Sequence, residues 1–221
     1  MKEVVEFLQQ LREHNERSWF EAHRAEWMQL RERINNFAAG LIEGIAAFDP
    51  AVKGLTVKEC TYRINRDIRF SADKSPYKTW QGIYVAPHGK KAGYAGYYFH
   101  LESASKEGPI GGHMLFAGLH MPHPVVLRSV REEILDNGAE FVKNIQRAKG
   151  FTLDESQKLK RPPVGFPAGT PYDELLRLKD VALCRAFGDE FLAGDDLLER
   201  TLAQFRKTAP FVQQLNRAVQ Y

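Results

Sequence analysis

Cysteine is almost absent. Cys60 and Cys184 are the only two in 221 residues, far apart and in no metal-type or redox-type spacing. A disulfide framework is excluded in a chain this long, and a reducing, cytoplasmic setting is the expectation. Long apolar runs are missing too. The best candidate, FAAGLIEGIAAF at 37–48, carries Glu43 and falls short of the roughly 20 residues a membrane span needs. No membrane partner is therefore expected. The opening MKEVVEFLQQLREHNE places Glu3 and Glu6 inside its apolar pattern, unlike a signal peptide. There is no Gly-x-Ser-x-Gly elbow, no His-Glu-x-x-His pair and no internal repeat. Neither a cofactor nor a metal is called for, and no oligomeric state is implied.

What is present is an ordinary globular composition, 43% hydrophobic, with a net charge of only +3. That charge is unevenly spread. Residues 60–91 hold seven Lys and Arg against two acids, a local excess of five. The rest of the chain is slightly acidic, so attraction for anions is concentrated in one segment.

The chain reads as a single domain over 1–221, in three zones without a linker. Residues 1–54 are helical: Val4, Phe7, Leu8 and Leu11 recur at helical spacing, and Trp19, Phe20, His23 and Trp27 resume it after a polar break at His14–Glu16. Residues 55–121 change to a period of two. Runs at about 57–70, 80–87, 94–103 and 112–120 read as strands, with connections too short for crossover helices. Residues 122–221 return to helices, with Pro124 suiting a first turn and Thr152, Thr170 and Thr208 suiting caps. VALCRAF at 181–187 is an extra strand candidate for the sheet edge. The fold class is α+β: one antiparallel sheet of about four to six strands, with helices mainly on one face.

Alternation sorts the strands into faces. Tyr62, Ile64, Ile68 and Phe70 share one side with Arg66, while Arg63, Asn65, Asp67 and Arg69 share the other. If Ile83, Val85, Phe99 and Leu101 face the core, then Trp80, Tyr84, Tyr98, His100 and Glu102 join the polar side. Three large aromatics on such a face suit a ligand platform, or a surface that helices or a partner cover. Arg66 on an apolar face must be paired, lie at the sheet's end or reach a site. In DKSPYK, Pro76 fixes the backbone and Tyr77 sits between Lys74 and Lys78. The loop has no glycine, so it is no phosphate-cradling P-loop. His100 beside Glu102 is the better acid–base candidate among the histidines, because imidazole titrates near neutrality.

RDIRFSADKSPYK at 66–78 resembles the signature of a widespread microbial family described as domain of unknown function 2461. The likeness extends to FLQQLREHNERSWFEAHR, with an Asn-x-Arg-x-Trp-Phe pattern at Asn15, Arg17, Trp19 and Phe20. It continues through AGLHMPHPVVLRSVREEI and LKRPPVGFPAGTPYDELLRLK to FRKTAPFVQQLN. RPPVGF departs from the more usual Arg-x-Pro-Lys-Gly, with Val164 where lysine is expected. The resemblance implies a soluble protein of bacterial type and no particular reaction.

Three functions follow. The first is an enzyme or binder that recognises a small phosphate or carboxylate. Arg63, Arg66, Arg69, Lys74 and Lys78 would hold the anion, Trp80, Tyr84 and Tyr98 would line the site, and Asp67, Asp73, Tyr77 or His100 would move protons. The second is a structural network, pairing Arg66 with Asp73 and Arg69 with Asp67. The third, single-stranded nucleic acid stacked on the sheet face, is disfavoured by the mild overall charge.

Overall fold

The computed structural model describes residues 1–105 and 110–219. Its first helix, α1 (Lys2–Glu13), buries Val4, Phe7, Leu8 and Leu11, the amphipathic stripe its sequence spells. The chain breaks at the polar His14–Glu16 and re-enters α2 (Arg17–Ala22) and α3 (Arg24–Ala46). After the short α4 (Val57–Cys60) come three strands: β1 (Trp80–Val85), β2 (Gly96–Glu102) and β3 (His113–Leu119). Then follow α5 (Pro124–Arg147), β4 (Thr152–Leu153), α6 (Asp173–Leu176), β5 (Val181–Phe187) and α7 (Leu197–Val219).

The five strands form one antiparallel sheet in the order β1-β2-β3-β5-β4, so the fold is α+β. Three of the expected strands are present, and 181–187 supplies β5. That strand lies inside the edge, because β4 pairs beyond it. Thr152, which reads as a helix cap, belongs to β4 instead. Thr208 is no cap either. Helix α7 runs straight through Pro210, and the Thr208 hydroxyl donates to the Phe205 carbonyl at 2.8 Å. Continuous burial of Phe205, Phe211, Val212 and Leu215 outweighs the one backbone bond that proline removes. The turn expected at 105–112 falls partly on residues 106–109, outside the described ones.

The largest correction concerns 57–70. This stretch is not a strand of the sheet. Thr56 caps α4 in a reciprocal box with Glu59, and residues 61–70 run on as irregular chain with isolated bridges only. A cap plus a short helix outcompetes the alternation there. Arg66 therefore sits on no apolar strand face, and Phe70, assigned to the core side, is 97% exposed.

Ile83, Val85, Tyr97, Phe99, Leu101, Leu115, Ala117 and Leu183 share one apolar cluster with the buried stripes of α1, α3, α5 and α7. By alternation and register, Trp80, Gly82 and Tyr84 lie on the opposite face with Tyr98, His100 and Glu102. Gly82 is required there. A Cβ at this position would lie 2.4 Å from the Tyr98 ring.

Helices α5 and α7 pack along their length and enclose an amide pair. Asn144 Nδ2 donates to Gln214 Oε1 at 2.8 Å, and Gln214 Nε2 donates to Glu133 Oε1 at 2.8 Å. Asn144→Ala strands a buried acceptor and is expected to cost about 1–3 kcal/mol. Adding Gln214→Ala to Asn144→Ala is expected to cost less than Gln214→Ala alone, as read from urea midpoints.

Candidate functional site

The charged stretch forms an arm leaving α4. It touches β1 through the Thr61–Ile83 bridge and then folds back on itself at Asn65–Tyr77. The Lys78 N–H donates to the Ile64 carbonyl at 2.8 Å and the Arg66 N–H to the Pro76 carbonyl at 2.9 Å. These bonds close 67–75 into a loop, within which most charges find partners. Arg66 pairs with Asp73 and also donates to the Ser75 carbonyl and Ser71 hydroxyl, each at 3.3 Å. Asp73 also accepts the Ser75 hydroxyl at 2.6 Å and its N–H at 2.9 Å. The Ser75 donors, with Arg66, hold the Asp73 carboxyl down at about 2. Arg69 forks onto Asp67 at 2.7 and 2.9 Å and holds that carboxyl down at about 2 as well. Lys74 donates to the Ile68 carbonyl at 3.1 Å.

The N-terminal helices pin the arm in place. Asn15, between α1 and α2, donates Nδ2–H to the Tyr77 carbonyl and accepts the Tyr77 N–H on Oδ1, both at 3.0 Å. Phe20 stacks on the Tyr77 ring with centroids 4.1 Å apart, placing that ring in the core. Arg31 of α3 donates to the Tyr62 carbonyl at 2.7 Å and the Thr61 hydroxyl at 3.1 Å. The Asn-x-Arg-x-Trp-Phe stretch and the central stretch thus meet in space.

Where they meet lies a cavity of about 440 Å³. Its wall carries the cations Arg12, Arg66 and Lys78, the single acid Asp73, and Tyr77 and Trp80. Lys78 is the unusual member. Its ammonium donates to the Arg63 carbonyl at 2.9 Å and lies 5.0 Å from the Trp80 ring centre and 5.5 Å from that of Tyr62. Among the described residues no carboxylate pairs with it. Burial, with Arg63 and Arg31 adding to it, lowers the Lys78 pKa.

A buried polar chain adjoins the cavity. Trp80 packs 5.4 Å from His100, whose Nδ1 lies 2.8 Å from the Tyr98 hydroxyl. His100 Nε2 lies 3.1 Å from Glu102 Oε2, and that oxygen also accepts the N–H groups of Ile110 and Gly111, both at 3.1 Å. Burial pushes the Glu102 carboxyl up, but these hydrogen bonds outweigh it and hold it below the usual range. Its other oxygen lies 3.6 Å from Arg12 Nη2, which donates to the Ser103 carbonyl at 3.0 Å.

The structure therefore gathers Arg66, Asp73, Tyr77, Lys78 and Trp80 around one cavity and sets His100 and Tyr98 behind it. Arg63, Asp67, Arg69 and Lys74 lie at the surface outside its lining. The Tyr84 hydroxyl donates to the carbonyls of Tyr94 and Gly118 at 2.8 and 3.0 Å. Arg12 escapes sequence reading, since nothing in α1 separates it from other basic helix positions. Asn15 is visible only as part of the family-like pattern. Burial pushes the Cys60 and Cys184 thiols up to about 11 and about 12, which suits neither to nucleophilic attack. Among the described residues no group of three or more His, Cys, Asp or Glu could hold a metal ion, and no helix is long and apolar enough to cross a membrane.

Asn15→Ala removes both partners of the Tyr77 backbone and is expected to cost about 1–3 kcal/mol. Asn15→Asp keeps the acceptor and loses the donor, so its denaturation midpoint is expected between those of Asn15→Ala and the native chain.

Comparison with curated proteins and with solved structures finds no match. A family model described as "Conserved hypothetical protein (DUF2461)" matches residues 3–213, which take in every element described above except Lys2 of α1 and the far end of α7. The chain belongs to that family.

Proposed function

We propose that the cavity between α1 and the arm binds a small anion, a phosphate or carboxylate group, with Lys78 and Arg12 as its main holders. The observation that carries this reading is Lys78: a half-buried ammonium facing a carbonyl and two aromatic rings, in a cavity wall with three cations and one acid. Burying such a charge is unfavourable unless something offsets it, and an anion in the cavity would do so. A group that is taken from water and has no opposite charge gains most from a ligand that supplies one. The two free thiols, Cys60 buried and Cys184 half-buried, suit a reducing cytosol, the setting we assign to this activity. If the site also catalyses, Asp73 is the acid in its wall, and its low pKa keeps it ionised at neutral pH, so it can be neither a proton donor nor a strong base there.

Isothermal titration with inorganic phosphate and with sulfate tests the proposal. Native protein is expected to bind, and Lys78→Met, which keeps the stem and removes the charge, is expected to bind at least about tenfold more weakly. Native-like binding by Lys78→Met, or none by the native chain at millimolar anion, would sink it.

A second reading has its own support. Arg66, Asp73, Ser71 and Ser75 form a closed set of hydrogen bonds inside the loop. That part of the cluster would shape the loop rather than meet a ligand. Arg66→Gln and Asp73→Asn are then expected to couple in a double-mutant cycle of thermal stability, each alone costing more than its addition to the other. Additive effects would exclude the pairing as a structural unit.

A further inference from the structure

We infer that the cavity is gated by the charge of His100. While His100 is neutral, Glu102 keeps Arg12 as its internal counter-ion. When His100 is charged, Glu102 releases Arg12 to an incoming anion. The inference rests on the anion-site reading and adds its regulation.

The geometry of Glu102 points this way. The side chain is fully buried, yet its oxygens are used unequally. Oε2 takes His100 and two backbone N–H groups. Oε1 accepts no hydrogen bond among the described residues. What faces it is Arg12 Nη2, at 3.6 Å, too long for a good hydrogen bond but close for an ion pair. Arg12 lines the cavity; besides its hydrogen bond to the Ser103 carbonyl, it is held at Glu102 by an attraction that a ligand can share.

Among the described residues, His100 is the imidazole that hydrogen-bonds the Glu102 carboxylate itself, and a proton gained there changes the charge beside it. In its neutral form, Nε2–H donates to Glu102 and Nδ1 accepts the Tyr98 O–H. A second proton can enter only at Nδ1, which then donates to the Tyr98 oxygen while the phenolic hydrogen turns away. The imidazolium beside Glu102 cancels its charge, and the hold on Arg12 slackens. Opposite His100 in the neighbouring strands stand Gly82 and Met114, neither titratable. Lys78 and Tyr62 lie beyond Trp80. His113 accepts the Glu102 backbone N–H at 3.2 Å and reaches Asp189 at 2.8 Å, so it is the rival source of any pH dependence. Linkage is reciprocal: an anion that gains from the imidazolium also raises the midpoint at which His100 charges.

Sulfate is the probe, because its own charge is constant from about pH 5 to about pH 8, where imidazole titrates. Calorimetry is expected to show the native chain binding it about fivefold or more tightly at the acid end. His100→Gln is expected to bind equally at both ends, and His113→Gln to keep the native dependence. Without any ligand, Arg12→Gln is expected to raise the His100 midpoint in a ring-proton NMR titration, because Glu102 then faces no cation but the imidazolium. This last readout uses a part-exposed residue and survives if His100→Gln fails to fold. A flat native profile, a pH dependence that persists in His100→Gln, or an unmoved midpoint in Arg12→Gln each overturns the gate. Sulfate binding with an unmoved midpoint removes the gate and leaves the anion site, while no sulfate binding at any pH removes both.

Discussion

One asparagine side chain stands in for a neighbouring strand. The carboxamide of Asn15 offers one donor and one acceptor in the geometry of a peptide group, and both engage the backbone of Tyr77. The arm has little else of its own to rest on. Among the described residues its backbone pairs with the sheet at one bridge, and its own two sides are joined by a few bonds around Asn65 and Tyr77. A backbone with so few regular partners needs outside groups to satisfy it. Asn15, between α1 and α2, and Arg31 of α3 supply them, while Phe20 of α2 stacks on the Tyr77 ring. The cavity lies where these helices meet the arm and the start of β1.

The cluster of charges divides by the same logic. Where acids lie a few residues from bases, the pairs close locally: Asp67 with Arg69, Asp73 with Arg66. These are exposed or half-exposed pairs, whose net contribution to stability is small. They fix the shape of a loop. Lys78, which has no acid partner among the described residues, and Arg12, whose acid Glu102 is distant in sequence, line the cavity wall beside the locally paired Arg66.

How much of this could be read from residues alone varied with the range of the interactions involved. Strands β1, β2, β3 and β5 announced themselves because alternation there is a burial pattern, with Ile83, Val85, Phe99 and Leu101 all in the core. The faces of β1 and β2 followed, including Tyr98, His100 and Glu102 on one side. Alternation misled at 57–70, where Thr56 and Glu59 start a helix and the later residues alternate with no partner strand to enforce it. Pairs such as Arg66 with Asp73 were open to inference because they are close in sequence. Arg12 beside Glu102, and Asn15 across 62 positions from Tyr77, were not, since no local rule links residues that meet only after the chain has folded. The family-like pattern marked Asn15 without saying what it holds.

The Asn15–Tyr77 clamp has a consequence for the order in which the protein assembles. The strands that follow Trp80 pair with close neighbours in sequence, and such pairings form early. The cavity, by contrast, needs residue 12 and residue 80 to meet, and closing so long a segment carries an entropy cost that short hairpins avoid. On the ribosome α1 emerges first, yet it must wait for the arm before it has anything to clamp. The cavity is then late to form and opens when the N-terminal helix frays, so the shape of the cavity and the attachment of α1 rise and fall together.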